Sequence, residues 1–334
     1  MSAFFPKIMK KILFIPVGGT ICTALTEKGT LDVNKGAGAV IIENFKKSGS
    51  PFVGETEFIA AENLMILSEN MTVEKWNMML DTYRSFGEDF DGVIFAHGTD
   101  TLAFSAALFS LMPKELPVFF VSSNARLDSE RANGNENFRC AVECICNGIA
   151  PGVYVPYKNI SSGKMLLHFG SRIKQCPCYS EDFESEGAFD LTEGVKALPE
   201  SMPEETALPK NLWEKLRLMD KVLVLWPYVG LNYEAVDYSR FSAVLHGTYH
   251  SGTACTGEGK NSILRMLELC RGKADVYLSP SKAEGEVYDT VRIIAENGDI
   301  EFLYGDTFEL TYAKLLVAYS LFDNKEDIIK FVKG

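Results

Sequence analysis

A chain of 334 residues, 46% apolar and 23% charged, is long enough for two domains, each with its own core. Its net charge of −12 argues against a surface for nucleic acid or anionic membranes, which needs a basic excess. No apolar run approaches the ~20 residues that span a bilayer, and Met1 to Val17 lacks a signal-peptide pattern, so the eight cysteines are expected as reduced thiols of a cytoplasmic protein.

Apolar runs predict strands at 11–17, 56–61, 91–96, 117–122 and 152–157, and helical patterns fall between them near 37–47, 72–87, 101–112 and 135–147. Thr72 is placed to cap the second helix, with Glu74 in its first turn. Strands alternating with helices at this spacing predict an α/β fold with a mostly parallel sheet. At 197–211, Pro199, Pro203 and Pro209 stand among Glu200, Glu204 and Glu205, which reads as a linker. Beyond it the alternation resumes: strands at 221–226, 242–246 and 275–279, helices at 232–240 and 261–271, and closing helices near 308–322 and 325–332. The expected architecture is a larger N-terminal domain (1–196), a linker (197–214) and a smaller C-terminal α/β domain (215–334), with no internal repeat.

Two segments follow strand ends and carry hydroxyls beside glycines: Gly18-Gly19-Thr20-Ile21 and His97-Gly98-Thr99-Asp100-Thr101. Open α/β sheets place ligand chemistry at such carboxyl ends. Neither segment has the spacing of a phosphate loop or of the dinucleotide fingerprint. Alone, Gly18-Gly19-Thr20 is equally a tight turn with a helix cap. Together, the two segments offer a nucleophilic threonine, a second hydroxyl and a carboxylate. A lysine held nearby would complete a proton relay, and backbone N–H groups of the glycine turns could form an oxyanion hole. The cysteines at 140, 144, 146, 176 and 178 include no Cys-x-x-Cys pair, and His246 and His250 flank a glycine at a strand exit, so no metal is expected. Cys140 and Cys144 share one helix face as small apolar groups.

These two motifs, in this order, resemble the signatures of the bacterial-type L-asparaginase family, and the similarity extends over nearly the whole chain. The resemblance implies that Thr20 is the nucleophile that forms an acyl-enzyme. It implies that Thr99 is the second catalytic threonine, and that Asp100 acts in catalysis and holds the substrate α-amino group. Lys174, in Gly170-Ser171-Arg172-Ile173-Lys174, takes the place of the family's lysine, with Phe183 and Ser185 nine and eleven positions downstream in the expected register. By the same likeness Ser68 binds the substrate α-carboxylate, with Glu69 beside it, and Glu309 to Leu315 resembles a C-terminal helix motif that includes Lys314.

Several positions depart from the family pattern. Thr30 stands where a loop tyrosine helps to activate the nucleophile, and Glu69-Asn70 replaces a pair ending in aspartate. Ser122 to Leu127 differs from the usual Gly-Ala-Met-Arg-Pro, and Gly252-Thr253 stands for a Gly-Asn turn. The implied activity is hydrolysis of L-asparagine to L-aspartate and ammonia without a cofactor, in a homodimer or homotetramer with sites at subunit contacts. The alternatives are glutamine or another small amide as substrate, a low-turnover amino-acid sensor of the same fold, and a tRNA amidotransferase subunit. Against the last, the chain begins a few residues before its first strand, without room for the extra N-terminal domain of such subunits.

Overall fold

The computed structural model describes residues 9–25, 31–33, 37–87, 89–195, 198, 206–281 and 288–334. The chain divides into two units, Met1–Glu214 and Lys215–Gly334.

In the first unit the strands are β1 (Lys10–Pro16), β2 (Thr23–Leu25), β3 (Leu31–Val33), β4 (Thr56–Ala60), β5 (Gly92–Ala96), β6 (Pro117–Val121), β7 (Gly152–Lys158), β8 (Met165–Phe169) and β9 (Phe189–Asp190). Its helices are α1 (Ala37–Lys46), α2 (Val73–Ser85), α3 (Leu102–Ser110), α4 (Gly134–Cys146) and the short α5 (Lys210–Trp213). Among the described residues, seven strands form one sheet in the order β4-β1-β5-β6-β7-β8-β9. It is parallel from β4 to β7, and β8 and β9 are antiparallel additions. β2 and β3 pair as a separate antiparallel ribbon.

Buried strands of a parallel sheet read as continuous apolar runs because both faces are covered. Successive residues of β1, β5 and β6 therefore serve opposite layers. Phe14, Ile94 and Phe119 join Ile41, Phe45 and Phe138 on the α1–α4 side. Phe95 and Phe120 stack 4.9 Å apart on the other, where Phe109 of α3 and Tyr83 of α2 meet them. Thr72 caps α2 by accepting from the Lys75 N–H at 3.3 Å. Cys140 and Cys144 are buried on the inner face of α4.

β1 lies between β4 and β5. The connection through α1 leads to one side of β1, and the one through α2 leads to the other. This is the sheet's topological switch point, where a crevice opens beyond the strand ends.

Residues 206–214 of the segment read as a linker pack on the first unit. The Leu208 N–H donates to Leu111 O at 2.8 Å, and buried Trp213 meets Phe109 edge-on at 6.0 Å.

The second unit holds a parallel sheet ordered β10 (Val222–Leu225), β11 (Ala243–His246), β12 (Asp275–Leu278) and β13 (Glu301–Phe302). Its helices are α6 (Ile263–Cys270), α7 (Asp289–Asn297), α8 (Phe308–Leu321) and α9 (Lys325–Lys333). Met266 and Leu267 of α6 pack with Val244 and Val276 of the sheet.

The helix expected over 232–240 is instead two 3₁₀ turns, Tyr233–Ala235 and Tyr238–Arg240. The side chains of Asn232 and Asp237 each capture the backbone N–H two residues on, and Val236 between the turns is extended. Such local bonds compete with helix formation. Lys314 lies in α8, buried, with its ammonium 2.8 Å from Asp306.

Among the described residues, no helix is long and apolar enough to cross a membrane.

Candidate active site

At the switch point the chain leaves β1 through Val17 and Gly18, whose N–H groups both donate to Ala96 O, at 2.9 and 3.2 Å. The end of β1 is thereby fastened to the end of β5. On the other side Gly18 pairs with Ile66, and the Ile66 N–H donates to Val17 O at 2.9 Å. Three segments meet here: 17–20, 66–70 and 97–101.

They approach so closely that only glycine fits. A Cβ on Gly19 (φ +76°) would lie 2.1 Å from Gly98 Cα, and one on Gly98 would lie 2.4 Å from Ser68 Oγ. Backbone cannot move aside as a flexible side chain can, and a positive φ adds strain to any L-residue. Gly19→Ala is therefore expected to destabilise the chain by about 3 kcal/mol or more, measurable as a shift of the denaturation midpoint. Wild-type stability in that variant would show that the two turns are less tightly apposed.

Thr20 opens a 3₁₀ turn, Thr20–Cys22, and is half-buried. Its carbonyl accepts from Thr23 Oγ1 at 2.9 Å, while its own hydroxyl has no hydrogen-bond partner among the described residues. Thr99, Asp100 and Thr101 form the turn before α3. Buried Ser68 donates its hydroxyl to Asp100 Oδ2 at 3.0 Å, and Thr101 Oγ1 donates to Ser68 O at 2.9 Å. Asp100 itself is exposed, so this carboxylate is oriented by the protein yet open to a ligand. Glu69 and Asn70 complete the turn begun by Ser68, and both are exposed.

Lys174 lies on a segment held by pairing: Ile173 bridges to Ser185, and the Lys174 N–H donates to Glu184 O at 3.0 Å. Phe183 anchors the partner strand, buried edge-on against Tyr157 at 4.9 Å. The segment of Lys174 is thus paired with the stretch that carries Phe183 and Ser185. The Lys174 side chain is exposed and makes no ion pair or hydrogen bond among the described residues. Its neighbour Gln175 reaches the site, where its side-chain amide donates to Asp100 O.

The structure therefore brings Thr20, Ser68, Thr99 and Asp100 to one crevice by backbone pairing, and brings the Lys174 segment to Asp100 through Gln175. Thr30 lies outside the described residues.

The altered segment after β6 has its own support. Asn124 and Asn133 exchange backbone-to-side-chain bonds of 3.0 Å each, and Ser123 Oγ accepts from the Gly134 N–H at 3.1 Å. Gly252-Thr253 forms a tight turn of the second unit, with the Gly252 N–H donating to Tyr249 O at 2.8 Å and the Tyr249 N–H to Thr253 O at 2.9 Å. Gln175 and the ring of His97 are site neighbours that sequence reasoning left without roles. An apolar run ending in histidine is the signal for the second; nothing in the sequence marks the first. Among the described residues there is no group of three His, Cys, Asp or Glu side chains able to hold a metal.

Comparison with known proteins gives this geometry a family. The family model "Asparaginase, N-terminal" matches residues 11–192. A glutamyl-tRNA(Gln) amidotransferase subunit from Archaeoglobus fulgidus is 29% identical over 80% of this chain and 66% of its own length. Its counterpart from Haloquadratum walsbyi is 27% identical over 95% of this chain and 72% of its own length. The chain thus spans about two-thirds of the length of these relatives. The fold of the thermostable L-asparaginase from Thermococcus kodakarensis matches with a TM-score of 0.73 at 22% identity, covering 97% of both chains. That of L-asparaginase I from Vibrio cholerae matches with a TM-score of 0.70 at 18% identity, again over 97% of both. The two threonine turns, in this order on neighbouring strand ends and inside a family match that spans more than half of the chain, place this protein in the asparaginase family.

Proposed function

We propose that this protein is an amidohydrolase that converts L-asparagine to L-aspartate and ammonia through an acyl-threonine. The observation that carries the reading is the convergence of Thr20, Thr99 and the Ser68–Asp100 pair in one crevice at the switch point of an asparaginase-family fold.

In this reading the Thr20 hydroxyl attacks the side-chain carboxamide carbon, and its proton passes through Thr99 to Lys174. Collapse of the tetrahedral adduct breaks the carbon–nitrogen bond, and ammonia leaves with that proton. Water then attacks the acyl-threonine ester, giving aspartate and restoring the hydroxyl. On binding, Ser68 turns its hydroxyl proton from Asp100 Oδ2 to the substrate α-carboxylate, which frees Asp100 to accept from the α-amino group, while Glu69 lines the same end of the site. The reaction needs no cofactor. N–H groups of the glycine turns that have no acceptor among the described residues suit the developing oxyanion.

A coupled ammonia assay over asparagine, glutamine and other small amides tests the reading. Release from asparagine with the highest kcat/KM supports it, and no release from any amide overturns it. Tight amino-acid binding by calorimetry without turnover would instead identify a sensor. Ser68→Ala should raise the KM for the amino-acid amide by about tenfold or more and lower kcat less, because a hydrogen bond to a charged group is lost mainly in binding. An unchanged KM would remove Ser68 from the head-group clamp.

A second reading is favoured by the names of the curated relatives: an amidotransferase subunit that supplies ammonia to a partner acting on aminoacyl-tRNA. Copurification of a partner, with glutaminase activity stimulated by it, would select that reading. We place the asparaginase first because the two threonine turns and the Ser68–Asp100 pair converge within the residues that the asparaginase family model matches. In either oligomeric form expected of the family, homodimer or homotetramer, sedimentation should give a species larger than the monomer.

A further inference from the structure

The proposed reaction leaves the buried histidine at the end of β5 without a task. His97 is 0% exposed, yet both ring nitrogens are bonded. Nδ1 lies 2.8 Å from Gly98 O, and Nε2 lies 3.0 Å from Ser105 Oγ. Ser105 Oγ in turn accepts from the Trp76 indole N–H at 2.8 Å.

The direction of this chain follows from its ends. An indole N–H can only donate and a carbonyl can only accept. Ser105, accepting from Trp76, has its own proton to give to His97 Nε2. A neutral ring whose Nε2 accepts carries its proton on Nδ1, and that proton faces the Gly98 carbonyl. Burial keeps the ring neutral, lowering its pKa to about 4, while the Gly98 carbonyl and the charge of Asp100 act more weakly in the other direction.

The last link bears on the site because Gly98 O and the Thr99 N–H belong to one peptide group. In a trans peptide the two point in opposite directions. Fixing the carbonyl against the ring therefore aims the Thr99 N–H away from the core, and that N–H has no acceptor among the described residues. The neighbouring Gly98 Cα is wedged between Ser68 and Gly19.

We infer that His97, held by Ser105 and Trp76, is a positioning residue: its Nδ1–H fixes the Gly98–Thr99 peptide so that Thr99 presents its N–H and hydroxyl to the substrate carboxamide. The inference rests on the amidohydrolase reading. The second unit supplies its control. His246, at the end of β11, makes the same contact from Nδ1 to Gly247 O, and its Nε2 meets Tyr233 OH at 2.7 Å. There the residues that follow are Thr248 and Tyr249, not Thr99 and Asp100.

The test compares His97→Ala, His97→Asn and His246→Ala in the full chain, with circular dichroism to establish folding. Asparagine's side-chain N–H sits close to the place of Nδ1. His97→Ala should lower kcat roughly 10–100-fold with KM changed far less, as expected for misplacing a reacting group. His97→Asn should recover most of the loss, and His246→Ala should reduce stability while leaving kcat at the wild-type value. A wild-type kcat in His97→Ala, an equal loss in His246→Ala, or no rescue by asparagine would each overturn the role.

If His97→Ala does not fold, Ser105→Ala and the ¹⁵N resonances of the wild-type ring at pH 7 decide the matter. A proton on Nδ1 in the wild type, lost or redistributed in Ser105→Ala together with a fall in kcat, supports the inference; a proton on Nε2 in the wild type overturns it. A wild-type chain that hydrolyses no amide defeats the function proposed above, and the nitrogen spectrum still decides whether His97 donates from Nδ1.

Discussion

Thr20→Ala is expected to reduce amide hydrolysis by roughly 10⁴-fold or more, because the proposed acyl-threonine cannot form without the hydroxyl and the other groups of the proposed site act as a unit with it. The fold should be nearly indifferent to the change. Thr20 is half-buried, its side chain makes no hydrogen bond to the described residues, and its backbone bonds survive in alanine. Calorimetry with L-aspartate should find binding close to the wild-type value, since Ser68 and Asp100 remain in place. Thr99→Ala gives the counter-test. If Thr99→Ala abolishes acylation by an electrophilic substrate analogue and Thr20→Ala does not, the roles of the two threonines are reversed.

The second large effect is acid lability. Of the chain's four histidines, His97, His168 and His246 are fully buried, and burial lowers each to a pKa of about 4. Their unfolded value is about 6.5. Between these pH values the unfolded chain binds protons that the native chain refuses, so stability rises with pH there. The contribution is fully present above about pH 6.5 and is lost as pH falls toward about 4. Each residue accounts for about 3 kcal/mol across that window, a large share of the stability of an ordinary domain. Urea titrations at pH 7 and pH 5 should show the loss. His168→Phe should flatten part of it, because His168 bonds only through Nδ1 to Ser185, at 2.7 Å, and its Nε2 has no partner among the described residues. A denaturation midpoint that stays constant from pH 7 to pH 5 would mean that these rings admit protons in the native state.

Part of the candidate site was legible in the residues themselves, as glycines and hydroxyls just past strand ends, whereas Ser68 and Lys174 came from the family resemblance. Apolar runs such as Val93-Ile94-Phe95-Ala96, short and alternating with helical patterns, read as strands buried on both faces, and a small residue beyond each marks where a backbone can approach something. What stayed hidden depends on partners far away in the chain. β8, Met165–Phe169, is a strand because it pairs with β7, and no periodicity of its own sets it apart. The span 232–240 carries helix-compatible residues, and two side-chain bonds to the backbone outweigh them. Lys174 is placed by the family resemblance, through its register to Phe183 and Ser185. The structure adds that Gln175 holds Asp100 while the lysine's ammonium stands exposed, and a register argument cannot distinguish between such neighbours. His97 was visible as a letter of the motif, but its tautomer follows from Ser105 and Trp76, which lie on two different helices.

The paired bonds of Val17 and Gly18 to Ala96 also bear on the order of events during folding. They join residues about eighty positions apart, and the rest of the crevice arrives from positions near 68 and 174. Loop-closure entropy makes such long-range parallel pairing a slow step. No early intermediate built from a single hairpin or βαβ unit can hold the proposed reaction centre. In refolding from denaturant, amidase activity should therefore return with the slowest spectroscopic phase, well after helical signal has recovered, and a nascent chain should stay catalytically silent until its first two hundred residues are free to fold.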